Sequence, residues 1–152
     1  MGKILKNRKV LLIIGGIIII ALIIVLCVCL SSNKVVCTQK ANINGVVNTN
    51  TVMIKYKDDS IKKVETTYKY VAKKKNNDVL KQIKTSLANL QDLYKSVKGV
   101  EFKEAKETDK TYELTQIVDF DAIADKDLEK VSIDRKYKKA IANYEAADYK
   151  CK

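Results

Sequence analysis

The chain has 152 residues, with 29 lysines and arginines against 18 aspartates and glutamates, and it contains no histidine, tryptophan or proline. The lack of histidine excludes Ser–His–Asp and Cys–His catalysis as well as histidine-containing zinc sites. The sequence contains no recognisable catalytic or metal-binding motif of any other type. We therefore expect a protein that is not an enzyme and that needs no cofactor.

An uncharged run covers residues 10–30, VLLIIGGIIIIALIIVLCVCL. A helix of that length spans about 31 Å, close to the thickness of the hydrocarbon core of a bilayer. Residues 1–9 carry four basic side chains and no acidic one, and such positive flanks stay in the cytoplasm. The sequence predicts a single-pass protein of the cell membrane, with a cytoplasmic N-terminus and an extracytoplasmic C-terminal part.

Two other fates of the same run stay open, namely cleavage as a signal peptide and processing as a lipoprotein. The apolar core of a cleaved signal peptide is usually about 7–15 residues long, so this run is longer than that. A lipid-bearing cysteine needs a small residue before it, but Leu26 precedes Cys27 and Val28 precedes Cys29. Retention as an anchor is favoured, and Cys29 is the candidate for acylation because it lies nearer the outer interface.

The other two cysteines lie near the two ends of the C-terminal part. Cys37 comes seven residues after the apolar run, and Cys151 is the last residue but one. Both would lie outside the cell, where disulfides persist. The sequence predicts a disulfide that ties the C-terminus to the first ordered residues, and in the chain-entropy model a loop of about 100 residues contributes up to about 4.7 kcal/mol. Two free thiols are the alternative.

The C-terminal part begins with a polar segment. Residues 31–50 are predicted to be a linker with a first short strand at residues 35–38. Residues 41–51 are predicted to form a loop around an Asn44-Gly45 turn. Residues 51–152 are predicted to form one extracytoplasmic domain. The chain after the apolar run carries 25 basic and 18 acidic residues, a balance that favours solubility and attraction to anions.

Two alternating segment pairs predict β-hairpins. Residues 51–57 (TVMIKYK) and 61–71 (IKKVETTYKYV) alternate with a period of two around a DDS turn. One face is apolar and aromatic and the other is rich in lysine, so we expect the first to be covered and the second to meet water. Residues 100–104 and 111–121 predict a second hairpin, in which Gln116 breaks the apolar pattern. We expect Gln116 to lie at the sheet margin or to bond a neighbouring strand.

A helix is predicted over residues 79–97, with Asp78 or a preceding asparagine as its cap and Gly99 as its stop. Six apolar residues form one stripe along it: Val79, Ile83, Leu87, Leu90, Tyr94 and Val97. Residues 122–130 predict a short helix or turn, and residues 135–149 a second helix. The order β-β-α-β-β-α predicts an α+β fold in which an antiparallel sheet has helices on one face.

Five segments between residues 51 and 131 match a family pattern: TVMIKYK, DDS, IKKVETTYKY, the helix end YKSVKGVEF and the tail DFDAIADKDLEKV. On these segments the chain resembles the YehR-like family of small bacterial lipoproteins of unknown function. The resemblance implies an envelope-anchored domain of the same α+β kind and no catalytic residues. The chain departs from the family in lacking a convincing lipid-attachment box and in adding residues 134–152.

Seven lysines gather on or near the predicted exposed sheet face: Lys55, Lys57, Lys63, Lys69, Lys73, Lys74 and Lys75. Such a face attracts anionic lipid headgroups or anionic wall polymers. A nucleic acid partner is not expected outside the cell. The alternative interpretation is a solvated face with no partner.

Four aspartates, Asp119, Asp121, Asp125 and Asp127, fall within nine residues, but their spacing is not that of a Ca²⁺ loop, so no metal site is expected. Four tyrosines are predicted to pack in the core rather than to form a stacking platform: Tyr56, Tyr68, Tyr70 and Tyr112. The sequence favours a membrane-anchored extracytoplasmic module that binds or scaffolds a ligand or protein partner it does not identify. The alternative is an envelope hydrolase that uses carboxylates such as Asp119 and Asp121.

Overall fold

The alternating segments lie side by side in one antiparallel sheet. The computed structural model describes residues 32–75 and 77–152. Its strands are β1 (Asn33–Ile43), β2 (Val46–Lys57), β3 (Ser60–Ala72), β4 (Val100–Phe102), β5 (Lys106–Glu107), β6 (Thr111–Asp119) and β7 (Lys150–Cys151). They lie in the order β4-β6-β3-β2-β1-β7, and β5 also pairs with β6. Together with the helices described next, this arrangement confirms the predicted α+β class and the antiparallel sheet.

The helices are α1 (Asp78–Tyr94), a 3₁₀ helix (Asp125–Val131) and α2 (Tyr137–Ala146). The Asn77 side chain caps α1 by accepting a hydrogen bond from the Leu80 backbone N–H at 3.1 Å. α1 ends at Tyr94, three residues before the predicted end, and Lys95 is its C-cap. The prediction that Gly99 stops this helix was therefore wrong. The segment predicted as a short helix or turn is the 3₁₀ helix, and α2 is shorter than predicted at both ends.

The prediction of a loop over residues 41–51 was wrong. β1 and β2 pair without interruption from Asn33↔Tyr56 to Ile43↔Val46. The turn at Asn44 and Gly45 is present, and both residues have positive φ, +48° and +85°. A two-residue turn of this kind matches the twist of the flanking strands, so it extends the pairing into a segment rich in asparagine and threonine. The segment predicted as a linker is therefore part of the sheet.

The second hairpin also differs from its prediction. The strand expected over residues 100–104 ends at Phe102, and a separate two-residue strand, β5, pairs with β6 near Tyr112. β7 was not predicted as a strand. It pairs with β1 opposite Cys37 and Thr38, and this pairing places the C-terminus at the sheet edge beside β1.

Both helices pack on the same face of the sheet, as predicted. α1 buries Leu80, Leu87 and Tyr94, and α2 buries Ala140. The first hydrophobic cluster contains these residues of β1, β2, β3 and β6: Val35, Cys37, Val52, Ile54, Ile61, Val64 and Val118. The second hydrophobic cluster takes these: Val46, Tyr70, Ala72, Tyr112 and Leu114. Alternation along the strands places these side chains on the face that the helices cover. The register shift between β2 and β3 at Lys55 and Tyr56 returns Ile61 to the same face.

The predicted membrane anchor at residues 10–30, the cytoplasmic segment before it and Cys29 lie outside the described residues. Within the described part, no helix is both long and apolar enough to cross a bilayer.

Candidate functional site

The side of the sheet opposite the helices, here called the open face, carries a row of lysines. Val35 and Cys37 of β1 point into the first hydrophobic cluster, so their neighbours point to the open face. The strand register then aligns Lys34 with Lys55, and Lys55 with Lys63. Three lysines therefore lie side by side across three adjacent strands.

This lysine row is electrostatically unfavourable on its own. Side chains directly opposite each other in an antiparallel pair have Cβ atoms about 4.5–5.5 Å apart, and like charges there are destabilising. Among the described residues, none of the three ammonium groups lies within 4.0 Å of a carboxylate. Lys63 faces Asp119 in the register, but Oδ1 of Asp119 accepts a hydrogen bond from the Asp121 backbone N–H at 3.0 Å. An anion bound over the row would relieve the repulsion.

A cleft of about 600 Å³ continues the open face at the β1–β7 edge. Because Cys151 points into the core, its neighbours Lys150 and Lys152 point to the open face. The cleft is lined by Val36, Thr38, Lys40, Asp148, Lys150 and Lys152. Three ammonium groups and one carboxylate therefore surround it.

The lysines over the other half of the open face, on and beside β3 and β6, are held in ion pairs. Lys103 lies 2.6 Å from Glu65, and Lys69 and Lys106 each lie 3.6 Å from Glu113. The unpaired charge is thus concentrated over β1, β2, β7 and the adjoining end of β3. We call this lysine set the basic face: Lys34, Lys40, Lys55, Lys63, Lys150 and Lys152.

The structure separates the seven predicted lysines. Lys55 and Lys63 belong to the basic face. Lys69 is in an ion pair with Glu113, and Lys57 is exposed at the end of β2. Lys75, in the connector after β3, lies 3.1 Å from Asp109. Lys73 and Lys74 are exposed in the same connector. Four members of the basic face were missed: Lys34, Lys40, Lys150 and Lys152. Lys34 precedes the buried Val35, and Lys40 falls on the same face farther along β1. No local signal places Lys150 and Lys152 beside them.

Cys37 and Cys151 form the predicted disulfide. The two residues are directly opposite each other in the β1–β7 pair, with Cα atoms 3.9 Å apart. Val36 and Lys152 exchange two backbone hydrogen bonds beside them, of 3.0 and 2.9 Å. The disulfide therefore holds β7 against β1 and keeps Lys150 and Lys152 in the basic face.

Three of the four clustered aspartates, Asp119, Asp121 and Asp127, are engaged with basic groups or with the backbone. Asp121 lies 3.1 Å from Lys62 and 3.8 Å from Arg135. A hydrogen bond from the Lys130 ammonium lowers the pKa of Asp127 below its ordinary value. In the described part of the chain, no three side chains of the metal-ligating types are grouped so that they could hold an ion.

Gln116 bonds a neighbouring strand, one of its two predicted environments. It is buried on the covered face, and its Oε1 accepts a hydrogen bond from the Tyr68 hydroxyl of β3 at 3.2 Å. Of the tyrosines predicted to pack in the core, Tyr70 and Tyr112 are buried in the second hydrophobic cluster. Tyr56 stacks on Tyr137 with ring centroids 3.6 Å apart.

The fold is similar to those of two proteins solved by NMR. YehR from Escherichia coli aligns with a TM-score of 0.56 and 19% sequence identity, covering 80% of this chain and 93% of that chain. A protein from Streptococcus pneumoniae TIGR4 aligns with a TM-score of 0.47 and 17% identity, covering 80% and 86%. No family model matches the sequence, and no curated protein matches it significantly. At this identity, the likeness to YehR shows a YehR-like fold.

Proposed function

We propose that the chain is a membrane-anchored extracytoplasmic module whose basic face binds the phosphate groups of an anionic surface. The observation that carries the proposal is the row of Lys34, Lys55 and Lys63 on a sheet face that no described helix covers. The cleft lined by Lys40, Lys150 and Lys152 extends the same region of positive charge. The module binds without catalysing a reaction.

The size of the basic face is sufficient for attachment to such a surface. A lysine close to an anionic membrane contributes about 1 kcal/mol. Six lysines contribute at most about 6 kcal/mol, and less when not all of them touch the surface together. Lys34 follows Leu30, the end of the proposed anchor, by four residues. The surface of the anchoring bilayer is therefore within short reach along the chain.

A charge-matched pair of triple variants tests the proposal. In residues 32–152, Lys34→Gln, Lys55→Gln and Lys63→Gln remove the row. The control triple, Lys95→Gln, Lys98→Gln and Lys126→Gln, removes the same charge from exposed lysines off the sheet, none with an ion pair in the described part. We expect the parent and the control to sediment with phosphatidylglycerol vesicles, and the row variant to lose most of its binding.

Two further arms distinguish the sources of phosphate. Competition by a soluble polyglycerol phosphate would identify a wall polymer as the better ligand, and its absence would identify the headgroup. Phosphatidylcholine vesicles are expected not to bind. Equal loss in the row and control variants would contradict a site at the lysine row, because only net charge would then matter.

Membrane attachment needs its own experiment, since residues 1–31 are not described. Protease treatment of intact cells is expected to degrade the domain. Protection of the domain in intact cells, with digestion after lysis, would invert the topology. The resemblance to YehR-like lipoproteins supports attachment by lipid as the alternative route. An acyl mass on the full chain that disappears in Cys29→Ser would establish acylation at Cys29.

The hydrolase alternative has less support from the geometry. Asp121 is held between Lys62 and Arg135, and Asp119 is bonded to the backbone beside it. Both carboxylates are therefore already engaged with neighbouring groups of the protein.

A further inference from the structure

A band of polar side chains crosses the covered face of the sheet, where a core needs apolar residues. Asn48, Thr66 and Gln116 are each 8% exposed and come from β2, β3 and β6. Asn50 and Tyr68 belong to the same face and lie opposite each other in the register. This polar band, Asn48, Asn50, Thr66, Tyr68 and Gln116, runs between the first and second hydrophobic clusters. Burying polar groups costs free energy unless they are hydrogen-bonded, so packing alone does not explain the band.

The band is only partly satisfied by its own hydrogen bonds. The Tyr68 hydroxyl donates to Gln116 Oε1. The side-chain oxygens Oδ1 of Asn48 and Asn50 are buried without a hydrogen-bond partner. Such groups are rare in native proteins, and each calls for an explanation.

A cleft of about 160 Å³ lies over the part of the band formed by Thr66, Tyr68 and Gln116, beside α1 and α2, and neither Asn48 nor Asn50 lines it. Its floor contains Thr66, Tyr68 and Gln116, and its walls contain Tyr94 of α1 together with Tyr144 and Tyr149. The Tyr94 hydroxyl donates to the Lys130 carbonyl oxygen at 2.7 Å, which holds that ring in place. The rings of Tyr144 and Tyr149 meet edge to face, with centroids 5.2 Å apart.

The cleft adjoins a second cleft of about 190 Å³, and the two share Ile133, Tyr144 and Tyr149. A cavity of about 150 Å³ is large enough for one six-membered ring such as benzene. Each cleft therefore has room for one ring, and the tyrosine pair stands between them.

The cleft over the band offers hydrogen bonds without charge. None of its lining residues is ionised at neutral pH: they are aliphatic, tyrosine, threonine and glutamine. Burial raises the pKa of Tyr144 to about 12 and raises that of Tyr68 further above its ordinary value of 10.0. A charged ligand would lose its hydration here and find no opposite charge in return. The ligand must therefore be uncharged, with hydroxyl or amide groups and an apolar side.

We propose that the cleft over the polar band binds one uncharged sugar unit. Its hydroxyl or acetamido groups bond Gln116, Thr66 and Tyr68, and the apolar face of its ring packs against Tyr144 and Tyr149. Tyrosine suits this role because it joins an apolar ring to a polar tip. The site lies on the face of the sheet opposite the basic face and does not depend on the anionic surface proposed above.

Chemical-shift titration of the ¹⁵N-labelled full chain in detergent micelles tests the site. The probes are N-acetylglucosamine, glucose and, as a charged control, glucuronate. A ligand of about 15 non-hydrogen atoms with ordinary ligand efficiency has a Kd of about 1 mM. We expect saturable shifts at Thr66, Gln116 and Tyr149 with at least one uncharged sugar. Saturation by N-acetylglucosamine alone would identify the acetamido group as the recognised part.

Matched variants separate binding from folding. Gln116→Leu keeps the volume and removes the amide, and Thr66→Val removes one hydroxyl, so either is expected to weaken binding about tenfold. Lys55→Gln on the open face is the control and is expected to leave the Kd unchanged. If Gln116→Leu does not fold, judged by its amide spectrum, Thr66→Val decides. Absence of saturable shifts at the cleft with both uncharged sugars, or equal binding of glucuronate, would overturn the proposal.

Discussion

At the scale of single residues, two glycines adopt the left-handed backbone in different surroundings. Gly99 has φ +86°, and a Cβ added there would lie 2.8 Å from Ile123 Cγ1 and 2.9 Å from the Asp119 carbonyl oxygen. Gly45 has φ +85°, and a Cβ there would meet nothing within 4 Å. Gly99 therefore permits the close approach of the segment after β6.

We predict that Gly99→Ala lowers the free energy of unfolding by about 2–4 kcal/mol, because backbone strain and a steric clash add. Gly45→Ala is the matched control and is expected to cost about 1–2 kcal/mol, from the backbone alone. Urea unfolding of the two variants measures the difference. Equal losses would show that the contact with Ile123 relaxes at no cost.

At the scale of elements, β7 is a strand of two residues, too short to stay paired without help. The disulfide between Cys37 and Cys151 joins residues 114 positions apart in the chain. Closing a loop of that size stabilises the folded state mainly by restricting the unfolded chain.

We predict that Cys37→Ser with Cys151→Ser lowers the free energy of unfolding by about 2–5 kcal/mol. It should also weaken vesicle binding, because Lys150 and Lys152 would leave the basic face. The reduced parent protein is the control, and its urea midpoint should equal that of the double variant. Reduction should also add the mass of two hydrogen atoms. An unchanged midpoint in both cases would mean that β7 contributes little to stability.

The start of α2 depends on a carboxylate. A hydrogen bond from the Lys139 ammonium, at 2.7 Å, and one from the Lys136 backbone N–H, at 2.9 Å, hold the pKa of Asp134 below its ordinary value of 3.8. A lowered carboxyl pKa stabilises the fold above the unfolded-state value and loses that contribution as pH falls through the folded-state value.

We predict that Asp134→Asn is less stable than the parent at pH 7 and that the difference disappears once the pH is well below 3.8. The amide still accepts the Lys136 hydrogen bond, so the variant isolates the charge. Thermal unfolding from pH 2 to pH 7 measures it. In a Lys139→Gln background the pH-dependent difference should shrink, and a full difference there would assign it to another cation.

At the scale of the whole molecule, the sheet divides two chemistries between its faces. The basic face collects the unpaired lysines of β1, β2, β7 and the adjoining end of β3, while the covered face holds two hydrophobic clusters and the polar band between them. The ion pairs over β3 and β6 confine the positive field to one half of the open face.

We predict that vesicle binding by the domain falls steeply as salt increases, since the Debye length shrinks from about 10 Å at 0.1 M to about 3 Å at 1 M. Sugar binding in the covered-face cleft should be nearly unchanged over the same range because no charged residue lines it. Sedimentation and titration at matched salt concentrations measure both. Salt-independent vesicle binding would point to apolar insertion instead of the basic face.

Much of the local structure could be predicted from the sequence, because its causes are local. Val52 and Ile54 recur two residues apart beside Thr51 and Lys55, and a strand turns successive side chains to opposite faces. The covered face of β2 therefore follows from the pattern. Asn77 marks the start of α1 because its side chain accepts a hydrogen bond from a backbone N–H of the first turn. The sequence pointed to pairing of Cys37 with Cys151 because no other cysteine follows the apolar run.

The tertiary structure decided what depends on distant partners. β1 extends to Ile43 because β2 pairs along its whole length, although the segment itself has weak strand character. Lys150 and Lys152 join Lys34 only through β7, and which lysines remain unpaired depends on where Glu65 and Glu113 fall on the sheet. Pairing between residues more than a hundred positions apart is set by the free energy of the whole fold, so local pattern alone does not specify it.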